Sequence, residues 1–237
     1  SLDADDVRTE KIKALRALRP ITTEIIETVT VRGQYARGTN GEDPVPDYLT
    51  DVDVDQSDTE TFVAIKAEID NWRWSGVPFY LRTGKRLKAR ASEIAVVFKP
   101  LGHSIFEGQE EQQNILAIHL QPNEGIDLQV TIKEPGPGGM RLVNVPLDMT
   151  FAEALGGSDV EVTDAYERLI MDVIRGNQTL FMRGDEVEAA WKWTDPIIAG
   201  WEARNDVPKT YDPGTSGPDD ALMLLHRDGR KWRDIKG

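Results

Sequence analysis

Apolar and polar residues alternate with a period of two through the middle of the chain. In "SEIAVVFK" the apolar positions are Ile94, Val96 and Phe98, and "NILAIHLQ" and "GIDLQVTIK" alternate in the same way. Such alternation places one face of a strand in a core and leaves the other face wetter. Several of the connections are short, so the pattern predicts an antiparallel meander that continues over residues 141–151.

Further elements are predicted before this meander. Residues 5–19 have apolar positions at near-helical spacing and predict a helix that Pro20 ends. Residues 24–36 and 59–70 predict strands. The acidic, proline-containing stretch 38–58 between them predicts a long loop.

The pattern changes to a helical period after the last strand. Asp164 and Glu167 form a capping box that begins a helix over residues 164–176, and Gly176 fits its C-terminal stop. The apolar face of this helix holds Tyr166, Leu169, Ile170 and Val173. A helix with a kink near Pro196 is predicted over residues 185–204, and "DDALMLLHRDGRKW" predicts a last short helix and turn. Strands followed by helices predict an α+β fold, with a large, mainly antiparallel sheet and helices packed on one face.

Composition narrows the class of protein. Hydrophobic residues make up 39% and charged residues 29% of the 237 residues, and there is no cysteine. A disulfide framework and a Cys-based zinc or thiol site are therefore excluded. No apolar run approaches the length of a membrane span and there is no basic-then-apolar leader, which argues against a membrane or secretory protein and favours the cytoplasm. The formal net charge of −13 argues against a nucleic-acid partner, because backbone phosphates are bound by many Lys and Arg residues.

Two motifs that suggest ligand sites fail on inspection. Asp51, Asp53 and Asp55 have the spacing of a calcium loop, but Gln56 stands where the required glycine would be, so an acidic, solvated loop is expected. "EPGPGGM" contains glycines at nucleotide-loop spacing but lacks a following helix, so a hairpin turn is expected. The three histidines, His103, His119 and His226, have no obvious carboxylate partner at short spacing, and His119 is expected on the wet face of its strand. No metal site and no assembled acid–base pair is predicted.

The strongest local reversal of charge lies in "LRTGKRLKAR", just after the apolar "VPFY". Five basic side chains and no acid fall within this stretch: Arg82, Lys85, Arg86, Lys88 and Arg90. Thr83 and Gly84 are expected to turn the chain, and Lys and Arg side chains suit phosphate oxygens. From composition alone two interpretations stay open, a solvated loop or a site for an anion.

Six segments taken together resemble the glucose-6-phosphate dehydrogenase family, in order and over essentially the whole chain. They are "EKIKALRALRP", "RGQY", "FVAIKAEIDNWRWSGVPFYLRTGKRL", "LQPNEGI", "DAYERLIMDVIRGNQTLFMRGDEVEAAW" and "GPDDALMLLHRDGRKW". The resemblance is to the C-terminal half of that family. It implies that residues 1–237 form a substrate-binding and dimerisation domain, incomplete at its N-terminal side. The NADP-binding Rossmann domain and the histidine general base of the family are absent from this chain.

The resemblance implies a role for three residues in binding glucose 6-phosphate. Lys85 and Arg90 match the family's lysine of R-T-G-K and the basic residue five positions later, which contact the substrate. Many bacterial members carry lysine at the position of Arg90. Gln121 matches the glutamine of L-Q-P-N-E, which lies at the sugar. Arg86 and Lys88 are expected to face solvent.

Some members of the family hold a second, structural NADP on this domain. The residues that remain of that site here are Arg82, Asp164 and Trp232. Its other positions are occupied by Ala91, Ala95, His119 and Asp127, most of which cannot bind a dinucleotide phosphate. The structural NADP site is therefore predicted to be absent.

The activity that the resemblance implies is the first step of the oxidative pentose phosphate pathway. In it glucose 6-phosphate is oxidised to 6-phosphogluconolactone and NADP is reduced, with NADP bound mainly by the absent Rossmann domain. The expected partners are glucose 6-phosphate and a second copy, in a homodimer or homotetramer formed through the sheet. The alternative is a non-catalytic dimerisation or scaffold module, and the isolated fragment is expected to be inactive.

Overall fold

The computed structural model describes residue 1 and residues 3–100, 113–137, 141–154, 156 and 165–235. The chain divides into two units. Unit one is formed by Ser1–Lys88 with Asp164–Asp234, and unit two by Ala89–Thr163 with Ile235–Gly237.

Both ends of the chain contain helices and strands, whereas its middle is formed mainly by strands. Unit one begins with α1 (Ala4–Arg16), α2 (Ile26–Val29), β1 (Thr30–Tyr35), β2 (Gly38–Asn40), β3 (Asp43–Val45), α3 (Tyr48–Asp51), β4 (Phe62–Ala67) and β5 (Phe79–Gly84). Unit two contributes β6 (Ser92–Val97), β7 (Ile115–Gln121), β8 (Gly125–Lys133), β9 (Leu142–Thr150) and α4 (Phe151–Ala154). Unit one ends with α5 (Ala165–Arg175), α6 (Gly184–Ala203), β10 (Lys209–Tyr211) and α7 (Asp219–His226).

The strands of unit one form a four-stranded sheet in the order β10-β1-β4-β5 and a small hairpin of β2 and β3. β4 is antiparallel to both of its neighbours, whereas β10 runs parallel to β1. The α+β class and the mainly antiparallel strands are thus confirmed. Apart from the β2–β3 hairpin, the described strands form two four-stranded sheets, one in each unit.

Helices cover both faces of the sheet in unit one. On β4, Phe62 and Ala64 pack with Leu224 and Leu225 of α7. The alternate residues Ile65 and Ala67 pack with Ile197 and Trp201 of α6. Because successive side chains of a strand point to opposite faces, the two cores lie on opposite sides of the sheet.

Two predictions for the N-terminal region are partly wrong. The predicted strand over residues 24–36 starts as the helical turn α2, and its strand begins only at Thr30. The predicted loop over residues 38–58 contains the β2–β3 hairpin and α3. Asp47 caps α3 by accepting a hydrogen bond from the Thr50 amide at 2.8 Å, which is a local bond that the proline and acid content of the stretch did not indicate.

The sheet of unit two is an antiparallel meander in the order β6-β7-β8-β9, as predicted. Its register places apolar side chains in rows across all four strands of one face. Two of these rows are Ile94–Ile118–Ile126–Met149 and Val96–Leu116–Leu128–Leu147. Large residues of this face are exposed, with Leu147 exposing 56% of its surface. The opposite face carries Glu93, His119, Asp127 and Asp148.

The hairpin between β8 and β9 begins where the sequence predicted a turn. Lys133 pairs with Leu142, and the Glu134 amide donates to the Arg141 carbonyl at 2.7 Å. The connection joins two antiparallel strands, so it cannot be the strand–turn–helix of a dinucleotide fingerprint.

The amphipathic helix predicted over residues 164–176 is present as α5. Gly176 has a φ of +69°, which fits the left-handed stop that ends a helix. The apolar face of α5 is exposed in Tyr166, Ile170 and Val173. Asp164, the predicted cap, lies outside the described residues. None of the helices in the described ranges has the length and apolar content needed to cross a bilayer.

Candidate functional site

The basic stretch lies at the end of β5, but its turn is not where the sequence placed it. Thr83 and Gly84 are strand residues that pair with Val63 and Phe62 of β4, so the expectation of a Thr83–Gly84 turn is wrong. A Cβ atom on Gly84 would lie 2.8 Å from the Phe62 ring, so this glycine is required by close packing. The chain turns two residues later, where Arg86 has a φ of +52°.

The backbone of this turn is held by hydrogen bonds from distant segments. The Lys85 amide donates to the Thr61 carbonyl at 2.8 Å, and the Lys85 carbonyl accepts from the Tyr211 hydroxyl at 2.8 Å. Beyond it, the Arg86 carbonyl accepts from Gly214 at 2.8 Å and the Lys88 amide donates to Thr215 at 2.9 Å. The main chain around Lys85 is therefore fixed on both sides, while the Lys85 side chain is exposed.

Arg86 is only half exposed and is paired within the fold. Its Nη2 lies 3.2 Å from Asp51 Oδ2, and the same oxygen accepts a hydrogen bond from the Tyr35 hydroxyl at 2.7 Å. The hydrogen bond from Tyr35 and the one from Arg86 lower the pKa of Asp51 below its ordinary value of 3.8. Burial, together with the bond to Asp51, raises the pKa of Tyr35 to about 12. Asp51, expected in a solvated acidic loop, thus neutralises Arg86.

We expect Asp51 to stabilise the protein only while it is ionised. A lowered pKa in the folded state adds stability that is fully present above the unfolded-state pKa. This stability is lost progressively as the pH falls below the unfolded-state pKa and through the lower folded-state pKa. The free energy of unfolding of the unmodified chain should therefore exceed that of Asp51→Asn at neutral pH. The difference should shrink below about pH 4. Urea unfolding of both chains across this pH range measures it.

Asp55→Asn is the matched control for this experiment, because Asp55 is exposed in the same loop and has no hydrogen bond or ion pair within the described part of the chain. Its free energy of unfolding should track that of the unmodified chain at every pH. A difference between the unmodified chain and Asp51→Asn that stays constant from neutral pH to pH 3 would contradict the ionic role of Asp51.

The cationic side chains of the stretch divide into paired and available ones. Arg82 lies over the Trp232 ring at 4.6 Å, and its Nη2 donates to the Arg233 carbonyl at 3.1 Å. Lys85, Lys88 and Arg90 are exposed, and none of them forms an ion pair or side-chain hydrogen bond within the described ranges. The charges available to an anion are therefore those of Lys85, Lys88 and Arg90.

Two of the three predicted substrate residues lie at one end of the sheet of unit two. Gln121 is the last residue of β7 and pairs with Ser92, the first residue of β6. Arg90 comes shortly before Ser92 in the chain, so it approaches the same end of this strand pair. Both side chains are exposed. Lys85, the third predicted residue, belongs to unit one.

His119 has a partner that its sequence neighbours did not reveal. Its Nδ1 lies 3.7 Å from Glu93 Oε2 on the adjacent strand, where the two residues are in register. Only the strand pairing could have identified this contact, because the residues are far apart in the chain. His103 lies outside the described residues, and no group of three or more metal-ligating side chains occurs among the residues that are described.

The residues present do not fit a structural nucleotide. In unit one, Arg82 and Trp232 contact each other, and the indole of Trp232 donates to the Ala221 carbonyl at 2.8 Å. In unit two, the matched positions Ala95 and Asp127 lie in one row across Ala117, with Asp148 next to Asp127. Such a row supplies acids where a phosphate needs cations. Asp164 is not among the described residues, and the absence of the site stays a prediction.

Known proteins are similar to this chain in sequence and in fold. A family model described as "Glucose-6-phosphate dehydrogenase, C-terminal domain" matches residues 1–233. The chain is 58% identical over 236 residues to the glucose-6-phosphate 1-dehydrogenase of Rhizobium meliloti (strain 1021), covering 99% of this chain and 48% of that protein. It is 52% identical over 233 residues to the enzyme of the same name from Mycolicibacterium smegmatis (strain ATCC 700084 / mc(2)155), covering 98% and 46%.

Two solved structures resemble the fold. One, described as "Glucose-6-phosphate dehydrogenase in complex with its substrate glucose-6-phosphate", matches with a TM-score of 0.84 at 34% identity, over 99% of this chain and 46% of that chain. The other, glucose-6-phosphate 1-dehydrogenase from Mycobacterium avium, matches with a TM-score of 0.74 at 30% identity, over 98% and 45%. The chain spans about half the length of the curated relatives it matches.

Proposed function

Because the chain belongs to the glucose-6-phosphate dehydrogenase family, we propose that it is the substrate-binding half of a glucose-6-phosphate 1-dehydrogenase. The proposed activity oxidises glucose 6-phosphate at C1 to 6-phosphogluconolactone and reduces NADP. A relative with a TM-score of 0.84 to this chain was solved with glucose 6-phosphate as its substrate. That relationship supports the choice of substrate, and the geometry of the basic turn supports the role of individual residues.

The observation that carries the proposal is the exposed cation of Lys85, which no acid among the described residues neutralises, on a turn whose backbone is fixed. An ammonium group is a compact charge with three donors, and it binds phosphate oxygens as a point charge. In unit one, the neighbouring Arg86 is neutralised by Asp51 and Arg82 contacts Trp232, so neither competes with Lys85 for the phosphate. We assign Lys85 to the phosphate of the substrate.

Arg90 and Gln121 lie in unit two, and we propose from the family resemblance that they too bind the substrate. A guanidinium presents a planar fork of donors to phosphate oxygens, and an amide can both donate to and accept from sugar hydroxyls. In this assignment Arg90 binds the phosphate and Gln121 the sugar. The contribution of all three residues is orientation of the substrate, which lowers the entropic part of the barrier.

We assign binding of the coenzyme to the other half of the longer relatives, the half to which this chain is not aligned. Among the described residues the one parallel strand pair joins β1 to β10, far apart in the chain. The turn from β10 into α7 contains Gly214 and Gly217, but it lacks the G-x-G-x-x-G spacing that a dinucleotide site requires. We therefore assign the acceptor of the hydride and the base for the C1 hydroxyl proton to that other half.

A fused enzyme tests the proposed activity. In it the N-terminal half of the Rhizobium meliloti relative precedes this chain, which is 58% identical to the half it replaces. We expect the fused enzyme to reduce NADP when glucose 6-phosphate is added, and the 237-residue chain alone to show no turnover. A soluble, folded fused enzyme that reduces no NADP would contradict the proposal and favour the non-catalytic scaffold.

We further propose that two copies associate through the sheet of unit two. Its apolar face exposes Ile94, Val96, Leu147 and Met149, and a contiguous exposed apolar surface is typical of an interface. Antiparallel sheets bury such a face against a second layer. Association into a dimer, or a tetramer built from dimers, would cover it.

A single charge on this face should weaken the association. We expect Leu147→Glu to shift the chain toward monomer, because a carboxylate on a half-exposed apolar row must lose its hydration when the copies meet. Sedimentation equilibrium measures the dissociation constant, which should rise about tenfold or more, as one desolvated charge implies.

Gln129→Glu is the control for Leu147→Glu, because Gln129 lies on the opposite face of the same strand pair. It should leave the dissociation constant within about twofold, as expected for a surface substitution. Dissociation by Gln129→Glu and not by Leu147→Glu would move the interface to the other face of the sheet.

A further inference from the structure

Tyr211 places its hydroxyl against the backbone of the Lys85 turn. It lies on β10 and is only 4% exposed. The hydroxyl oxygen is 2.8 Å from the Lys85 carbonyl, 3.0 Å from Thr61 Oγ1 and 3.2 Å from the Thr61 carbonyl. Since Tyr211 and Lys85 are separated by 126 positions, no local sequence pattern joins them.

The direction of these hydrogen bonds follows from counting donors. Thr61 Oγ1 accepts from the Tyr35 amide at 3.0 Å, so its own hydrogen is free to point to the Tyr211 oxygen. Tyr211 has a single hydrogen, and its shortest contact is with the Lys85 carbonyl. The chain of donors therefore runs from Tyr35 through Thr61 and Tyr211 to Lys85. The Lys85 amide closes the ring by donating to Thr61.

This closed set of hydrogen bonds lies in the interior, where a polar group without a hydrogen-bond partner lowers the stability of the fold. Tyr35, Tyr211 and Thr61 are all buried. Burial raises the pKa of Tyr211, so the phenol keeps its hydrogen and remains a donor at neutral pH. A buried network in which each member is satisfied holds its atoms in one arrangement. The arrangement that it holds here is the backbone of Lys85.

We propose that Tyr211 is a positioning residue for substrate binding, acting through the main chain of Lys85. This inference rests on the proposed function, in which Lys85 binds the phosphate of glucose 6-phosphate. Tyr211 and Thr61 fix the carbonyl and the amide of Lys85, so the ammonium group has fewer positions available to it in the unbound protein. A binding group held in advance loses less entropy on binding, and its loosening weakens phosphate recognition before it affects chemistry.

Tyr211→Phe in the fused enzyme tests the inference, because it removes one hydroxyl and keeps the ring that packs against Phe62. We expect kcat/KM for glucose 6-phosphate to fall about five- to twentyfold, the loss that a buried carbonyl without its donor implies. The loss should appear in KM for glucose 6-phosphate, with kcat and the KM for NADP within about twofold of the parent. The kcat/KM for glucose, which has no phosphate, should stay the same.

A purely structural role for Tyr211 would give a different result. General loosening of the fold would lower kcat/KM for glucose 6-phosphate and for glucose by the same factor, and that outcome would overturn the inference. Tyr80→Phe is the matched control, because it removes another tyrosine hydroxyl of unit one, bonded to Asp228 and not to the 85–88 turn. Its kinetic constants should equal those of the parent.

A second pair of variants keeps the inference testable if Tyr211→Phe does not fold. Thr61→Val removes the hydroxyl that donates to Tyr211 and should raise KM for glucose 6-phosphate. Thr61→Ser keeps the hydroxyl, and its KM should equal that of the parent. Equal KM values for the two would contradict the hydrogen-bond chain.

Lys85→Ala distinguishes an error in the role of Tyr211 from an error in the role of Lys85. If Lys85→Ala raises KM for glucose 6-phosphate and Tyr211→Phe does not, Lys85 binds the phosphate without help from Tyr211, and the inference is wrong. If Lys85→Ala leaves KM unchanged, the assignment of Lys85 to the phosphate is wrong, and the inference about Tyr211 falls with it.

Discussion

Lys85→Ala in the fused enzyme is expected to lower kcat/KM for glucose 6-phosphate by about 10- to 100-fold, the range that loss of a hydrogen bond to a charged group implies. Lys85 is exposed, and within the described ranges its ammonium group has neither an ion pair nor a hydrogen bond, so removing it deprives no folded-state contact of a partner. The free energy of unfolding should therefore stay within about 0.5 kcal/mol of the parent, as for an ordinary surface substitution.

Lys88→Ala is the matched control for this prediction. Lys88 is an exposed lysine of the same turn, and its backbone bond to Thr215 survives the substitution. Steady-state rates with glucose 6-phosphate should change less than about twofold, as expected for an exposed charge without a partner. If Lys88→Ala impairs the enzyme as much as Lys85→Ala does, the effect is one of general positive charge, and the specific assignment of Lys85 is incorrect.

Gly217→Ala is expected to lower the free energy of unfolding by about 2–6 kcal/mol, combining backbone strain with overpacking. Gly217 has a φ of +103°, a conformation that a residue with a Cβ rarely adopts. The added Cβ would lie 2.2 Å from the ring of Phe62, which is 1% exposed and cannot move aside without disturbing the core. Because folded domains are stable by only about 5–15 kcal/mol, this one methyl group removes a large share of the total.

Gly229→Ala separates the two causes in the Gly217 experiment. Gly229 also has a positive φ, of +66°, but a Cβ there would meet nothing within 4 Å. It should cost only the backbone term, about 1–2 kcal/mol. Urea unfolding of the two variants measures both values. Equal losses would show that the contact with Phe62 contributes nothing to the requirement for glycine at position 217.

Gly217 also affects the backbone of the candidate site. Gly217 ends the loop whose Gly214 and Thr215 bond the backbone of Arg86 and Lys88. The same Phe62 ring that excludes a side chain at Gly217 excludes one at Gly84, at the end of β5. One buried aromatic ring therefore sets the approach of both segments that build the turn.

The periodic parts of the fold could be predicted from the sequence. The meander of unit two could be predicted because one of its faces carries rows of large apolar side chains, whereas the polar side chains of the strands lie on the other face. Each strand shows this alternation by itself. The helix α1 and the amphipathic α5 carry their own apolar spacing in the same way, although α1 ends at Arg16, before the stop that Pro20 predicted. The family resemblance came from local motifs too, since "LRTGKRL" and "DAYERL" are contiguous in the chain.

The errors fell where a residue's role depends on a distant partner. Gly84 was expected to turn the chain, whereas it is a strand residue that the Phe62 ring excludes from bearing a side chain. Asp51 was expected in a solvated loop, whereas Tyr35 and Arg86 both bind its carboxylate. Glycine and aspartate suit turns and loops by local chemistry, and local chemistry was all that the sequence offered at these positions.

The sequence by itself therefore determined the α+β class, the antiparallel meander and the run of five basic residues between Arg82 and Arg90. These follow from hydrophobic period and from charge, which are properties of neighbouring residues. Only the tertiary structure decided which cations are neutralised and which hydrogen bonds fix the backbone of Lys85. Those answers depend on Asp51, Thr61 and Tyr211, which the folded chain brings to the turn from other strands and loops. Hydrogen bonds act over about 3 Å, and a sequence does not record which distant atoms folding brings within that range.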